Sequence, residues 1–394
     1  MMTSEMGAQQ ASPALARSLE SRCARPRRLV IKIGTSTLTD ESGKLDSRFF
    51  LELASQVAQL IAEGCEVLVV SSGAIIAGLE AFGLPPSRPG DIPTLQAAAA
   101  LGQVELSRHY AAAFEPLGIK TAQVLLTRGD IANRESYLYA RDTLQRLFEM
   151  GAVTVINEND TIAVDEIRFG DNDTLAAQVA ILVKADLVIL LSDIEGLYTA
   201  DPRIDEDAQL IREIGAFTEE IVQAAGVAAS GKGSGGMVTK LEAARLLMAA
   251  GIPMVICEGS RHGVVAEVVS GTNVGTRFEG GHAAHGKARK LWRALSGAVT
   301  GSVVVDDGAV KALRDRGGSL LPVGIVRVDG SFERGAVVDI RAQSGFLIGR
   351  GIIRYSAEAL TSVAGMTSGA LSSKDLPGAS TKYEAIHRDE MVVF

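Results

Sequence analysis

Three cysteines in 394 residues, Cys23, Cys65 and Cys257, are too few and too scattered for a disulfide framework, and no C-x-x-C pair occurs. They read as structural thiols of a reducing compartment, so the expected location is the cytoplasm. Histidine is also scarce, at five residues. His282 and His285 form an H-x-x-H pair without a third ligand, and no protein-built metal centre is expected. No apolar run approaches the ~18 residues that a membrane span requires. Positive charge is in deficit, with 39 Lys and Arg against 47 Asp and Glu and a formal charge of -8. That balance argues against a protein whose main work is gripping nucleic acid or anionic membrane, and favours a small soluble substrate.

Apolar material is plentiful at 47%, and the length exceeds one ordinary core, so two domains are expected. Residues 1–27, rich in Ala, Ser and Arg, read as a disordered extension. A transit peptide would avoid Glu5 and Glu20. From Leu29 onward short β-branched runs at 28–33, 66–70, 121–126, 153–156, 186–191 and 253–257 alternate with helical periodicity at 47–63, 94–115, 134–149 and 238–250. Continuous apolar strands separated by helices predict an α/β domain, a mostly parallel sheet between two helical layers, over 28–278. A Gly, Ala and basic linker follows at 279–297. Short Gly-punctuated β patterns then predict a small β-rich domain over 298–376, ahead of a C-terminal segment at 377–394.

Ligands of such sheets sit beyond the carboxyl ends of the strands. There the chain places Gly34-Thr35-Ser36, Ser71-Ser72-Gly73-Ala74, "NENDT" (157–161) running on to "GDND" (170–173), and Ser192-Asp193. Gly226–Lys232 matches a Walker pattern, except that Gly233 stands where Ser or Thr should bind Mg²⁺. Gly231–Gly236 matches the dinucleotide pattern, with Glu258 as a candidate ribose ligand. Both patterns demand a preceding strand, and "AFTEEIVQAAGVAAS" has helical spacing instead. The glycines 231, 233, 235 and 236 still feed directly into a helix, whose N-terminal N–H groups and dipole suit an anion, with Lys240 as an added charge. Lys32, inside the apolar strand "LVIKIG", marks either an edge strand or a second phosphate-binding lysine. Two lysines converging on one anion suit phosphoryl transfer. Asn157, Asp160, Asp171, Asn172 and Asp173 could hold an ammonium group, and the Ser72-Gly73-Ala74 turn a carboxylate; an amino acid carries both.

From Leu29 to the end the chain resembles the glutamate 5-kinases, amino-acid-kinase-fold enzymes of proline synthesis with a C-terminal PUA domain. The resemblance rests on "IKIGTS", "SSGAI", "LLTRGD", "RDTL", "INENDT", "GDND", "GLYTADPR", "GGMVTK", "DDGA" and "GSLLPVGI". It implies ATP with Mg²⁺ as cofactors, L-glutamate as acceptor and L-glutamyl 5-phosphate as product. Lys32 and Lys240 would be the phosphate lysines and Asp173 the acid orienting them, which makes these three the catalytic set. Ser72, Asp160 and Asn172 match glutamate-binding positions, with Gly73, Ala74, Asn157 and Asp171 beside them. Gly34, Ser192, Asp193 and the run Ser234, Gly235, Gly236, Met237, Val238, Thr239 and Lys240 match the nucleotide site, together with Lys32. Ser192 and Ser234 stand where Thr would be expected, a departure that keeps the hydroxyl. The resemblance also implies feedback by L-proline, a homodimer or homotetramer, and hand-off of product to glutamyl phosphate reductase. Acetylglutamate, aspartate or a nucleoside monophosphate are the alternative acceptors within the fold. RNA binding through the β-domain is not expected, since 298–376 holds nine Lys and Arg against eight Asp and Glu.

Overall fold

The computed structural model describes residues 25–85, 91–163, 172–218, 221, 236–280, 299–367 and 384–394. In chain order its first unit contains β1 (Arg28–Ile33), α1 (Thr35–Leu38), α2 (Ser47–Ala62), β2 (Glu66–Ser71), α3 (Ala74–Ala81), α4 (Ile92–Phe114), β3 (Thr121–Leu126), α5 (Arg128–Ala132), α6 (Arg134–Glu149), β4 (Val153–Glu158), α7 (Asp173–Val183), β5 (Leu187–Ser192), β6 (Glu213–Ile214), α8 (Met237–Ala250), β7 (Met254–Glu258), α9 (Val264–Val269) and β8 (Thr276–Phe278). The eight strands form one sheet in the order β3-β4-β2-β1-β5-β7-β8-β6. All neighbours are parallel except β7 and β8. The six expected strands are present. The short β6 and β8 were not expected, because two or three residues carry no legible alternation.

Strand geometry sends alternate side chains to opposite faces, and the sheet has a core on each. Val30, Leu68, Val70, Ile156, Val188, Leu190 and Ile256 pack with residues of α6, α7 and α8. Leu29, Ile31, Ile33, Val67, Val69, Ile189 and Val255 pack with residues of α2, α4 and α9. This is the expected three-layer sandwich. Lys32 has the same parity as Val30, so it points to the α7 and α8 layer. It also sits in the middle of the sheet, opposite Val70 on one side and Leu190 on the other, which removes the edge-strand explanation for its charge.

Helices α3 and α4 touch backbone to backbone. A Cβ on Gly78 would lie 1.7 Å from the Ala98 carbonyl oxygen, and one on Gly102 would lie 1.8 Å from that of Ala74. The crossing leaves the adjacent Gln103 buried near the strand ends.

The second unit contains β9 (Val299–Val305), α10 (Asp307–Arg316), β10 (Ile325–Gly330), β11 (Val337–Ala342), β12 (Leu347–Ile352), α11 (Ala357–Val363) and β13 (Met391–Val393). Its sheet runs β10-β9-β11-β12-β13 around a separate core. The chain end returns to the first unit, with Val392 and Phe394 packed into the α7 and α8 layer. A cleft of about 480 Å³ at the junction is lined by Phe217 and Thr218 from one side and by Arg314 and Phe346 among others from the other. No helix among the described residues is long and apolar enough to cross a membrane.

Candidate active site

Three charged side chains meet where β1 ends and α7 and α8 begin. Lys32 Nζ stands 2.6 Å from Asp173 Oδ1, and Lys240 Nζ stands 3.2 Å from Asp173 Oδ2. Thr239 Oγ1 lies 2.8 Å from the Gly236 carbonyl and 3.2 Å from the same Oδ2, two acceptors for its one proton. Lys32, Asp173 and Lys240 are 3%, 0% and 5% exposed. One carboxylate thus stands between two buried ammonium groups. Two ammonium groups held this close together suit an anion with several oxygens.

Local sequence preferences are violated at the same point. Lys240 is the fourth residue of α8, where a cation opposes the helix dipole. The N-cap is Gly236, which offers no side-chain cap, and the first turn holds no acid. Met237 is buried and Val238 exposed. Helix starts that leave their N–H groups uncapped suit an anion. Gly34 closes β1 through its N–H to the Leu191 carbonyl at 3.2 Å. A Cβ there would lie 3.9 Å from Lys32 Nζ, so the backbone passes directly over the lysine tip. Ser192, buried at the end of β5, donates to Asp193 Oδ1 at 3.0 Å.

A second, uncharged cluster lies at the ends of β2 and β4. Asn172 Nδ2 reaches Asn157 Oδ1 and the Ser71 carbonyl at 2.7 Å each, and Ser72 Oγ at 3.3 Å. Asn157 Nδ2 donates to Gln103 Oε1 at 2.8 Å, and Asn157 Oδ1 also accepts from the Glu158 N–H. Tyr110 donates to Ser71 Oγ at 2.9 Å. Gly73 adopts φ 96° at the N-cap of α3 and Ala74 begins that helix, so the Ser72-Gly73-Ala74 turn depends on a glycine. Asp160 is half-buried in the turn after β4. Asn172 and Asp173 are adjacent in sequence, so the N-terminus of α7 joins this cluster to the charged one.

The structure thus brings together Lys32, Asp173, Thr239 and Lys240, and separately Ser72, Asn157 and Asn172. Asp171, Ser234 and Gly235, together with Gly231 and Gly233, lie outside the described residues. Sequence reasoning passed over Gln103 and Tyr110. A glutamine directly after the Ala-rich run 97–102 was the available signal for the first. The described histidines make other contacts: His109 against the Phe50 ring, His262 exposed beside Glu52, and His387 near the chain end; His282 and His285 lie outside the described residues. Cys65 and Cys257 are free and buried, and burial pushes their thiols up to about 11 and about 12.

Residues 27–258 match the model of the amino acid kinase family and residues 301–371 that of the PUA domain. The glutamate 5-kinase of Citrifermentans bemidjiense is 45% identical over 368 residues, 93% of this chain and 97% of that protein. The glutamate 5-kinase of Geobacter sulfurreducens is 44% identical over 367 residues, with the same coverage. That of Sodalis glossinidius is 45% identical over 365 residues, covering 93% and 98%. With one family model matched over most of the first sheet and the other over most of the second, the chain belongs to the amino acid kinase family, among the members that carry a C-terminal PUA domain.

Proposed function

We propose that the chain transfers the γ-phosphoryl group of ATP to the side-chain carboxylate of L-glutamate, giving L-glutamyl 5-phosphate and ADP, the entry step of proline synthesis. The observation that carries this reading is the Lys32–Asp173–Lys240 cluster, held beside an amide network with a different chemistry. Phosphoryl transfer needs mainly positioning and charge neutralisation. Two buried ammonium groups held by one carboxylate are preorganised for it, because no charge must be moved into place when phosphate oxygens arrive.

Lys32 and Lys240 neutralise the phosphoryl oxygens, and Asp173 fixes both amines. Residues Gly236, Met237 and Val238 present backbone N–H groups to the nucleotide, and Gly34 brings the chain close to it beside Lys32, with Thr239, Ser234, Gly235, Ser192 and Asp193 completing that side. Ser72, Gly73, Ala74, Asn157, Asp160, Asp171 and Asn172 hold glutamate, carboxylate toward the turn and ammonium toward the acids and amides. A glutamate carboxylate, with a pKa near ~4.3, is already ionised at neutral pH, so the nucleophile needs no general base.

Mg²⁺ fits as a companion of the nucleotide. Both oxygens of Asp173 are engaged by lysines, and Mg²⁺ is commonly held by substrate phosphates and water with few protein ligands. When bound, it spreads charge over the phosphate oxygens. The product is a reactive acyl phosphate, so we further propose hand-off to a glutamyl phosphate reductase, feedback by L-proline, a homo-oligomeric assembly and a cytoplasmic location.

The test is ADP release with ATP and a panel of glutamate, aspartate, acetylglutamate and UMP. Release that depends on glutamate alone supports the proposal, and release with another acceptor instead would overturn the specificity.

A further inference from the structure

Arg245 follows Lys240 by five residues on α8, about 140° round the helix axis, and faces the second unit. It is 8% exposed. Its guanidinium carbon lies 4.8 Å from the centre of the Phe217 ring and 5.6 Å from that of Phe346. Phe217 in turn stacks on Phe278 at 6.0 Å with 23° between the planes, and Arg314 lies 5.2 Å over Phe346. A ladder of rings and cations therefore runs from β8 of the first unit, through α8, to the residue before β12 and to α10 in the second.

The middle rung is held by ring faces rather than by a matched acid. Asp339, the buried carboxylate of the second unit, spends one oxygen on Arg341 and the other on Arg350, both at 2.8 Å. Among the described residues Arg245 Nε has no hydrogen-bond partner. Burial draws the group below the usual arginine range, Glu242 and Asp339 act against that, and Arg341 and Arg350 reinforce it. A cation so placed depends on the ring faces. Phe346 belongs to the second unit, and Phe217 stands in the segment that enters the glycine-rich stretch. The second unit therefore grips both α8 and the approach to that stretch.

We propose that Arg245 is a positioning residue for phosphoryl transfer, through which the C-terminal unit sets the placement of α8 and hence of Lys240 against Asp173 and the nucleotide. This rests on the functional reading above. A displacement of about 1 Å at a reacting group is enough to lower turnover strongly, so the grip on α8 appears in the chemistry and not only in stability.

The test uses the full chain carrying Arg245→Ala, Phe346→Leu, both together, and Phe346→Trp, assayed at a temperature where circular dichroism shows each variant folded. Arg245→Ala and Phe346→Leu are expected to lower kcat about tenfold and to raise KM for ATP, leaving KM for glutamate within about twofold. The double variant should be no worse than the weaker single, and Phe346→Trp, which restores a ring face, should behave as the parent. A merely structural ladder would lower Tm and leave kcat and KM for ATP unchanged; that result overturns the proposal, as do effects that multiply in the double variant. If Arg245→Ala does not fold, Phe346→Leu against Phe346→Trp decides by the same criteria. A parent chain inactive on glutamate would strike the functional reading alone. The inference then stands or falls on whether Arg245→Ala and Phe346→Leu weaken ATP binding measured by calorimetry.

Discussion

Lys32 Nζ stands 2.6 Å from Asp173 Oδ1 across the space between β1 and the start of α7, while the other oxygen of Asp173 faces Lys240. The one carboxylate thus carries two duties, holding both amines in place and offsetting part of their buried charge. Asp173→Asn removes the charge and keeps the shape. Breaking these two buried ion pairs from one side should cost about 3–5 kcal/mol of stability, read as a lowered Tm. Unchanged thermal unfolding would show that Asp173 is not the electrostatic centre of the site.

Lys240→Ala removes one preorganised charge from the transferring group. Turnover should fall by at least ~10² with the fold intact, because the loss falls on the transition state. Near-parental kcat in a folded Lys240→Ala chain would take Lys240 out of the mechanism.

Asp160→Ala should act on the acceptor. It stands in the turn that follows Asn157, so KM for glutamate should rise while KM for ATP changes little. A rise confined to ATP would reverse the assignment of the two clusters.

Gly73→Ala tests the turn that connects β2 to α3. The residue has φ 96°, and an added Cβ would approach Leu38 Cδ1 to 3.1 Å. Strain of about 1–3 kcal/mol is expected, together with weaker glutamate binding as the turn shifts. Full stability with full glutamate affinity would show that the turn tolerates a side chain.

The thiols of Cys65 and Cys257 should resist alkylation in the native chain. With values pushed up to about 11 and about 12, the thiolate at pH 8 is roughly one part in a thousand or less, and both side chains are buried. Rapid labelling of either by iodoacetamide in the folded chain, located by peptide mass spectrometry, would contradict this environment.

Much of this arrangement was legible before folding, for physical reasons that differ by residue. The apolar strands announced themselves by β-branched runs, and Lys32 by breaking one. Parity alone then aimed it at the α7 and α8 layer. Lys240 could be suspected because a cation in the first turn of a helix opposes the dipole. Gln103 could not be assigned, since its place beside Asn157 is created by the backbone contact of Gly78 and Gly102 between α3 and α4. The ladder through Arg245 was equally hidden, because it joins residues of two units whose docking leaves no periodic trace in either.

The most direct measurement follows the oxygen of the acceptor. Glutamate labelled with ¹⁸O in its side-chain carboxylate is incubated with the chain, ATP, Mg²⁺ and hydroxylamine, which cleaves an acyl phosphate at carbon and frees the phosphate with its bridging oxygen. Direct attack by the carboxylate predicts glutamyl hydroxamate together with inorganic phosphate carrying one ¹⁸O. Unlabelled phosphate without hydroxamate would mean that water, and not glutamate, receives the phosphoryl group.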